Sequence, residues 1–256
     1  MAEHDRYSQI DYGSLIDWDS RLKREWPFLE ELFRSGPSKR VLDLGSGPGE
    51  HARFIAEHGY SVVGLDQSQS MLERARSASA GGDMTFVEGD LREVANAVDG
   101  RFGAAICLGN VLPHLLTDDD LARFANGLRL KLETGAPVAL QFLNYDRIEA
   151  KKERALPVVF RPDPADPAAS IVFLRLMELL PAGRVIFAPT MLRFSPGSAT
   201  AVELAGTERI EIRGWRRGEV ERIFRAAGFE SVEVWGSFAK EPFVETESRD
   251  VLLVAR

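Results

Sequence analysis

The stretch that decides the fold runs from Val41 to Glu50 and reads Val-Leu-Asp-Leu-Gly-Ser-Gly-Pro-Gly-Glu. Its first residues are mainly apolar and are typical of a buried parallel strand. The glycines that follow allow a tight turn and let a ligand approach the backbone closely. Residues 51–58 are predicted to form a helix whose free N–H groups point back at that ligand. The stretch therefore predicts a nucleotide-type site at the first strand-to-helix turn of an α/β sheet.

The spacing of the glycines distinguishes two kinds of nucleotide site. A dinucleotide-binding loop has its third glycine three residues after the second. Here Gly45, Gly47 and Gly49 stand at every second position, and Asp43 lies two residues ahead of the first. This spacing argues against a dinucleotide site, and on these residues alone an ordinary glycine-rich turn remains the alternative.

Two further predicted strands also end in acidic residues. Residues 61–66 form an apolar run that ends in Asp66. This acid follows the glycines by about twenty residues, where α/β nucleotide folds place the carboxylate that binds the ribose hydroxyls. Ser68 then precedes a predicted helix with Met71 on its apolar face. Residues 84–90 form a third strand that ends in Asp90, so three strand ends in succession predict a ligand site.

Composition and charge narrow the class of protein. The chain has 256 residues, of which 45 % are hydrophobic and 28 % charged, which suits one large α/β domain or a domain with an insert. The net charge of −7 argues against a nucleic-acid partner. No apolar run is long enough for a bilayer and no signal peptide is recognisable, so we expect no membrane partner and a cytoplasmic location.

Neither cysteine nor histidine usage suggests a metal or a disulfide. The single cysteine, Cys107, lies in a predicted strand and excludes an internal disulfide framework. The four histidines are scattered without the spacing of metal ligands. We therefore expect no metal.

Strand and helix signals alternate through the first part of the chain. Residues 1–38 are predicted to form a helical leader, with Asp19 or Ser20 as the N-cap of its helix. Residues 39–150 are predicted to form the cofactor-binding core, which implies a mainly parallel sheet. Its strands are predicted near 40–44, 61–66, 84–88, 103–108 and 136–143.

Residues 151–213 have a different pattern. Lys151–Arg154 predicts a solvated helical face, and the prolines at 157 and from 162 to 167 interrupt regular structure. Three β-rich runs follow, separated by Pro-Ala-Gly and Ser-Pro-Gly-Ser turns; they span 170–180, 184–194 and 201–213. They predict an antiparallel β meander that is inserted into the core and covers the substrate. The alternative is a sheet that forms a homodimer interface. Residues 214–256 are predicted to complete the core.

The glycine loop and the strand ends resemble the motifs of class I S-adenosyl-L-methionine (SAM) methyltransferases. Segments 105–115, 144–148 and 236–243 further resemble the glycine/sarcosine N-methyltransferase branch. The resemblance covers roughly residues 15–146 and 215–256 and is weak over the insert. It implies a Rossmann-like, seven-stranded, mostly parallel sheet with a final antiparallel strand. It also implies SAM as cofactor, S-adenosyl-L-homocysteine (SAH) as product and a small molecule as methyl acceptor.

The resemblance assigns roles to residues that hold the cofactor. Arg21 would bind the carboxylate of SAM, and Asp66 would bind the ribose. Asp90 would meet the exocyclic amine of adenine, with Leu91 packed near the ring. The other implied cofactor contacts are Asp43, Gly45, Gly47, Gly49, Gln67, Met71 and Leu108.

Fewer residues can be assigned to the binding of the methyl acceptor than to the binding of the cofactor. Asn110 and His114 are expected to face the acceptor as catalytic residues, and Tyr7 and Tyr12 to close over the cleft from the leader. The side chains of the insert that we expect in the acceptor pocket are Phe160, Arg175, Met177, Met191 and Arg193.

One departure from the glycine/sarcosine branch bears on the substrate. Those enzymes carry an arginine before an Asn-Tyr-Asp triplet to bind the substrate carboxylate, whereas this chain has Leu143 there. An apolar side chain cannot replace a guanidinium group, so glycine is a poor candidate. Nitrogen is the favoured acceptor atom. The alternatives are an O-methyltransferase with His114 as base and a non-catalytic SAM-fold partner subunit.

Overall fold

The computed structural model describes residues 15–79 and 81–256. In chain order its strands are β1 (Arg40–Leu44), β2 (Ser61–Asp66), β3 (Met84–Glu88), β4 (Ala104–Cys107), β5 (Val138–Leu143), β6 (Val159–Asp163), β7 (Asp166–Leu179), β8 (Arg184–Phe194), β9 (Val202–Thr207), β10 (Ile210–Arg213), β11 (Val232–Trp235) and β12 (Asp250–Ala255). Its α-helices are α1 (Trp18–Arg34), α2 (Glu50–Glu57), α3 (Gln69–Ala78), α4 (Val94–Ala97), α5 (Asp118–Lys131), α6 (Tyr145–Ala150) and α7 (Arg217–Ala226). Short 3-10 helices span Leu91–Glu93, Leu112–His114 and Pro181–Gly183.

Seven strands form the core sheet, in the order β11-β12-β5-β4-β1-β2-β3. Strand β12 is antiparallel to both of its neighbours, and the other pairs are parallel. This confirms the Rossmann-like, mostly parallel sheet. The strands predicted in the first part of the chain agree with β1 to β5 to within two residues at either end, because each is a short, mainly apolar run. Strands β1, β2, β4 and β5 are largely buried, whereas β3 lies at the sheet edge and is only partly buried.

Helices cover both faces of this sheet. On one face, Phe28 of α1 and Ile55 of α2 pack against Val41. On the other, Phe124 of α5 and Phe224 of α7 pack in one cluster with Leu42. Adjacent residues of β1 thus face opposite layers, as the two-residue period of a strand requires.

The start of α1 differs from the prediction. Asp17 is the N-cap, and its Oδ1 accepts a hydrogen bond from the N–H of Ser20 at 3.1 Å. The predicted caps were therefore wrong. Asp19 instead lies in the first turn, where its charge favours the helix N-terminus, and it pairs with Lys23 at 2.7 Å.

The predicted antiparallel insert forms a second sheet. Strands β10, β8, β7 and β6 lie side by side, and β9 pairs with the same edge of β8 as β10. The turn at Pro181–Gly183 and the bend from Ser195 to Ser198 lie where they were predicted. The run predicted over 201–213 is divided between β9 and β10.

Two details of the insert were predicted wrongly. The prolines were expected to interrupt structure, yet Pro162 lies in β6. Among the described residues that strand pairs only with β7, and an edge strand tolerates a residue that lacks an N–H. The helical face expected over Lys151–Arg154 is absent from the structure, because α6 ends at Ala150 and Lys152 has a left-handed φ of 54°.

The insert leaves the core and returns to it at one place. Arg216, just before α7, forms ion pairs with Asp146 at 2.7 Å and with Glu149, both on α6. A Cβ atom on Gly214 would lie 2.7 Å from the ring of Tyr145. The chain segments on either side of the insert are therefore in direct contact.

One charged residue lies inside the core sheet beside the glycine loop. Asp43 of β1 is 3 % exposed, and its Oδ2 has no hydrogen-bond partner among the described residues. Burial raises the pKa of Asp43 to about 6. The charge of Asp66 acts in the same direction, whereas His51 and Arg21 oppose it.

We expect the raised pKa of Asp43 to make stability depend on pH. The folded protein holds a proton on Asp43 that the unfolded chain releases, so the free energy of unfolding should fall as pH rises from 3.8 to about 6. The full effect is roughly 3 kcal/mol. Asp43→Asn should remove this component. Urea unfolding of both proteins across this range measures it, and an identical pH dependence in the two would contradict the prediction.

Candidate functional site

A cavity of about 1730 Å³ opens at the carboxyl ends of the parallel strands and extends beneath the second sheet. Its lining includes Gly45 after β1, Asp66 at the end of β2, Leu108 after β4, and Phe173 of β7. A typical ligand pocket has roughly 300–1,000 Å³. The cavity therefore has room for two ligands side by side, one against the core and one against the insert.

The glycine loop and the end of β2 are joined through one carboxylate. The N–H of Gly47 donates to Oδ2 of Asp66 at 2.8 Å, and the N–H of Ser68 donates to Oδ1 at 2.9 Å. Gly47 has a φ of 51°, and a Cβ there would meet no atom within 4 Å. The loop backbone is thus open to the cavity, as the close approach of a ligand requires.

Most of the residues predicted from the sequence line this one cavity. They are Arg21, Gly45, Gly47, Asp66, Gln67, Met71, Asp90, Leu91, Leu108, Asn110 and His114. Asp43 and Gly49 do not line it. A Cβ on Gly49 would lie 2.8 Å from Phe86 and 3.0 Å from Ala75, so this glycine permits close packing of the helix on the sheet. Tyr7 and Tyr12 lie outside the described residues.

The acids at the ends of β2 and β3 are in different electrostatic environments. Burial raises the pKa of Asp66, although Ser68 and Gly47 donate hydrogen bonds to it. Burial also acts on Asp90, but hydrogen bonds from Arg92 lower the pKa of Asp90 below its ordinary value. Asp90 is therefore already engaged by a cation, whereas the hydrogen bonds to Asp66 come from backbone N–H groups.

Arg21 belongs to a buried network that sequence reasoning missed. Its Nε donates to Oε1 of Glu25 at 2.8 Å, and Nε2 of His51 lies 2.8 Å from Oε2 of the same carboxylate. Glu25 is only 2 % exposed. The guanidinium lies over the ring of Trp18, 5.1 Å from its centroid, and His51 meets that ring edge-on at 5.5 Å. Burial opposes the charge on Glu25, but His51 and Arg21 lower its pKa.

A second missed network joins β4, β5 and β12. Oε1 of Gln141 accepts from the N–H of Gly109 at 2.7 Å, and its Nε2 donates to Oδ1 of Asp250 at 2.7 Å. Oδ1 of Asn110 accepts from the N–H of Leu143 at 3.0 Å, so this amide holds the ends of β4 and β5 together. Burial raises the pKa of Asp250. The side chains of this network and of its neighbour across the strand ends all line the cavity: Gln141, Asp250, Asn110 and Leu143.

The inner face of the second sheet forms the far wall of the cavity. Phe173 and Arg175 of β7, Phe187 of β8 and Ile212 of β10 line it, together with Leu143 of the core. Arg147 also lies there, but both of its Nη groups are bound to Glu153, at 2.8 and 2.6 Å. This wall is thus largely apolar, with Arg175 among its few cations.

The other insert residues predicted for the acceptor pocket lie elsewhere. Phe160 is 59 % exposed, and its register beside Val172 turns it to the outer face. Met177 is buried near Tyr145, and Met191 packs by Phe173. Arg193 forms ion pairs at 2.7 Å with Asp163 and Asp166. Only Phe160 lies on the opposite face; Met177, Met191 and Arg193 share the face of Phe173, but their side chains pack or form ion pairs within the insert and around Tyr145 rather than line the cavity.

The described part of the chain offers no group of three acidic, histidine or cysteine side chains that could hold a metal ion. Cys107 is fully buried in β4, and burial raises the pKa of its thiol. None of the helices described has both the length and the apolar composition needed to cross a membrane.

Comparisons with known sequences support the resemblance. Residues 41–135 match a family described as a methyltransferase domain. The glycine/sarcosine N-methyltransferase of Halorhodospira halochloris is 33 % identical over 139 residues, which cover 54 % of this chain and 52 % of that protein. The chain thus spans about half the length of the curated relatives that it matches.

Solved structures share the fold over nearly the whole chain. The CcbJ methyltransferase of Streptomyces caelestis has a TM-score of 0.69 and 23 % identity, and the match covers 94 % of this chain and 96 % of that one. SAM-bound CalS10, an amino pentose methyltransferase of Micromonospora echinaspora, has a TM-score of 0.65 and 18 % identity, with coverage of 94 % and 92 %. At these identities the likeness concerns the fold. Residues 41–135 are thus similar to a methyltransferase domain, and the chain has the fold of solved methyltransferase structures.

Proposed function

We propose that this protein methylates a nitrogen atom of a small molecule, with SAM as the methyl donor. The observation that carries the proposal is the single cavity in which the glycine loop and Asp66 face an apolar wall of the insert. The matched relative is named a glycine/sarcosine N-methyltransferase, and a structural neighbour is named an amino pentose methyltransferase. The first name specifies methyl transfer to nitrogen, and the second names a substrate that carries an amino group.

The residues at the core end of the cavity fit SAM. SAM supplies a methyl group bonded to a positively charged sulfur. Asp66 would accept hydrogen bonds from the ribose hydroxyls, beside the open backbone of Gly47. Arg21 would pair with the carboxylate of the cofactor. Leu91 would pack near adenine. Asp90 would have to contact the adenine amine while it remains bound to Arg92.

The insert end of the cavity would hold the acceptor. Phe173, Phe187 and Leu143 would exclude water and align the acceptor, which are the main catalytic devices in a transfer with a neutral leaving group. An apolar pocket also favours the uncharged form of an amine. Because Leu143 cannot bind a carboxylate, and because the cavity is large, we propose an amine with an apolar body rather than glycine.

Cofactor binding is the first test. We expect SAH to bind and NAD not to bind. Excess SAH at a hundred times its dissociation constant should stabilise the fold by about 2.7 kcal/mol. Asp66→Ala should weaken SAH binding roughly tenfold or more, whereas Glu73→Gln on the exposed face of α3 should not. Calorimetry and thermal unfolding measure both. Tight NAD binding with no SAH binding would refute the proposal.

The acceptor atom is tested at His114, which lines the cavity beside the turn after β4. A nitrogen acceptor needs no base at the moment of transfer, so His114→Gln should lower kcat by less than about tenfold. An oxygen acceptor needs a base. For such an acceptor, His114→Gln should therefore lower kcat by about 10²- to 10⁴-fold. The assay is transfer of labelled methyl from SAM to amines, amino sugars and phenols. No transfer to any acceptor would favour the non-catalytic partner subunit.

The role of the insert is tested with two arginines of the same sheet. Arg175→Ala should raise the KM of the acceptor found in that screen and leave the SAH affinity unchanged, because Arg175 lines the cavity from β7 of the insert. Arg193→Ala is the matched control, since Arg193 is bound to acids of the insert. Equal effects of the two substitutions, or a changed oligomeric state, would favour a dimer-forming sheet instead.

A further inference from the structure

Glu25 is a charged residue in a nearly closed environment. Its side chain is 2 % exposed, and a carboxylate taken out of water destabilises a fold unless it is well paired. Here both oxygens are used: Oε1 accepts from Nε of Arg21, and Oε2 lies against Nε2 of His51, each at 2.8 Å. The carboxylate therefore has a fixed orientation and two fixed partners.

The pairing leaves one edge of Arg21 open. Only Nε is bound to Glu25; Nη1 and Nη2 make no hydrogen bond to any residue in the described part of the chain. The guanidinium lies beside the turn after β4, where Nη2 is 3.6 Å from the position that a Cβ on Gly109 would take. An edge formed by two Nη groups binds a carboxylate through two parallel hydrogen bonds.

The same network connects α1 to the glycine loop. His51 is in the first turn of α2, directly after the loop, and it is itself 7 % exposed. Trp18 contacts both His51 and the guanidinium, so it limits the movement of each. The position of Arg21 is thereby set relative to the loop rather than by α1 alone.

We propose that Glu25 is a positioning residue for the cofactor. It holds Arg21 so that the Nη1–Nη2 edge faces the carboxylate in the amino-acid part of SAM, and His51 fixes Glu25 relative to the glycine loop. The inference rests on the proposed function, because it assumes that SAM occupies the core end of the cavity. It adds two residues of the cavity lining, Glu25 and His51, that would act on the cofactor through Arg21.

The test compares two ligands that differ in the amino-acid part, on which Arg21 is proposed to act. SAH contains this part, whereas 5′-methylthioadenosine has the same nucleoside and lacks both the carboxylate and the α-amino group. Calorimetry on the full chain should show that Glu25→Gln weakens SAH binding about tenfold and methylthioadenosine binding less than about twofold. Arg21→Gln should change the two affinities in the same way. The variant that combines Glu25→Gln with Arg21→Gln should lose no more affinity for SAH than Arg21→Gln alone.

Two further variants calibrate the comparison. Lys23→Gln removes an exposed ion pair of the same helix and should change neither affinity. Asp66→Ala should weaken both ligands, since both contain the ribose. If Glu25→Gln weakened the binding of both ligands equally, the role of Glu25 would be structural and the inference would be overturned. Unchanged affinity for SAH would overturn it as well. If the unaltered protein binds neither ligand, the proposed function itself fails.

A measurement without any substitution guards against a Glu25 variant that does not fold. In nitrogen-15 spectra, the Nε–H of Arg21 should exchange slowly with water before ligand is added and should keep its position when SAH binds. The Nη groups should become ordered only with SAH and not with methylthioadenosine. A rapidly exchanging Nε–H in the free protein, or Nη signals that respond equally to both ligands, would overturn the inference.

Discussion

The carboxylate of Asp66 accepts hydrogen bonds from the N–H groups of Gly47 and Ser68, and the shape of the site depends on these contacts. They hold the turn after β1 and the turn after β2 at a fixed distance. Burial raises the pKa of Asp66, so its charge is maintained at a cost that donors from a bound ligand would reduce. The carboxylate that holds the glycine loop in place is thus also the group that would accept hydrogen bonds from a ribose.

The rest of the cavity divides its tasks between core and insert. The core supplies the polar groups, through the networks of Arg21 with Glu25 and of Gln141 with Asp250. The insert supplies an apolar wall. The two sets of residues come from different parts of the fold. Under the proposed function, recognition of the cofactor and recognition of the acceptor would therefore be separable.

Sequence reasoning predicted the core well because buried parallel strands are continuous apolar runs whose ends gather at one edge. It failed where no local pattern exists. His51 and Glu25 are 26 residues apart, and Gln141 and Asp250 are 109 apart, so neither pairing has a periodic signature. In the insert, β6 was missed because a proline on an edge strand resembles an interruption. Of the predicted pocket residues, Phe160 lies on the outer face, and Met177, Met191 and Arg193 lie on the inner face but contact other side chains, which no local pattern predicts.

The contact between Arg216 and α6 has a consequence for how such a protein can change. A segment whose two ends already touch adds only a closed loop to the core. The entropic cost of closing such a loop grows slowly with the number of residues in it. The sheet of the insert could therefore be lengthened, shortened or exchanged for another without breaking the parallel strands beneath it. In evolutionary terms, and under the proposed function, the fold would keep one donor-binding half and leave the other half free to diversify toward new acceptors.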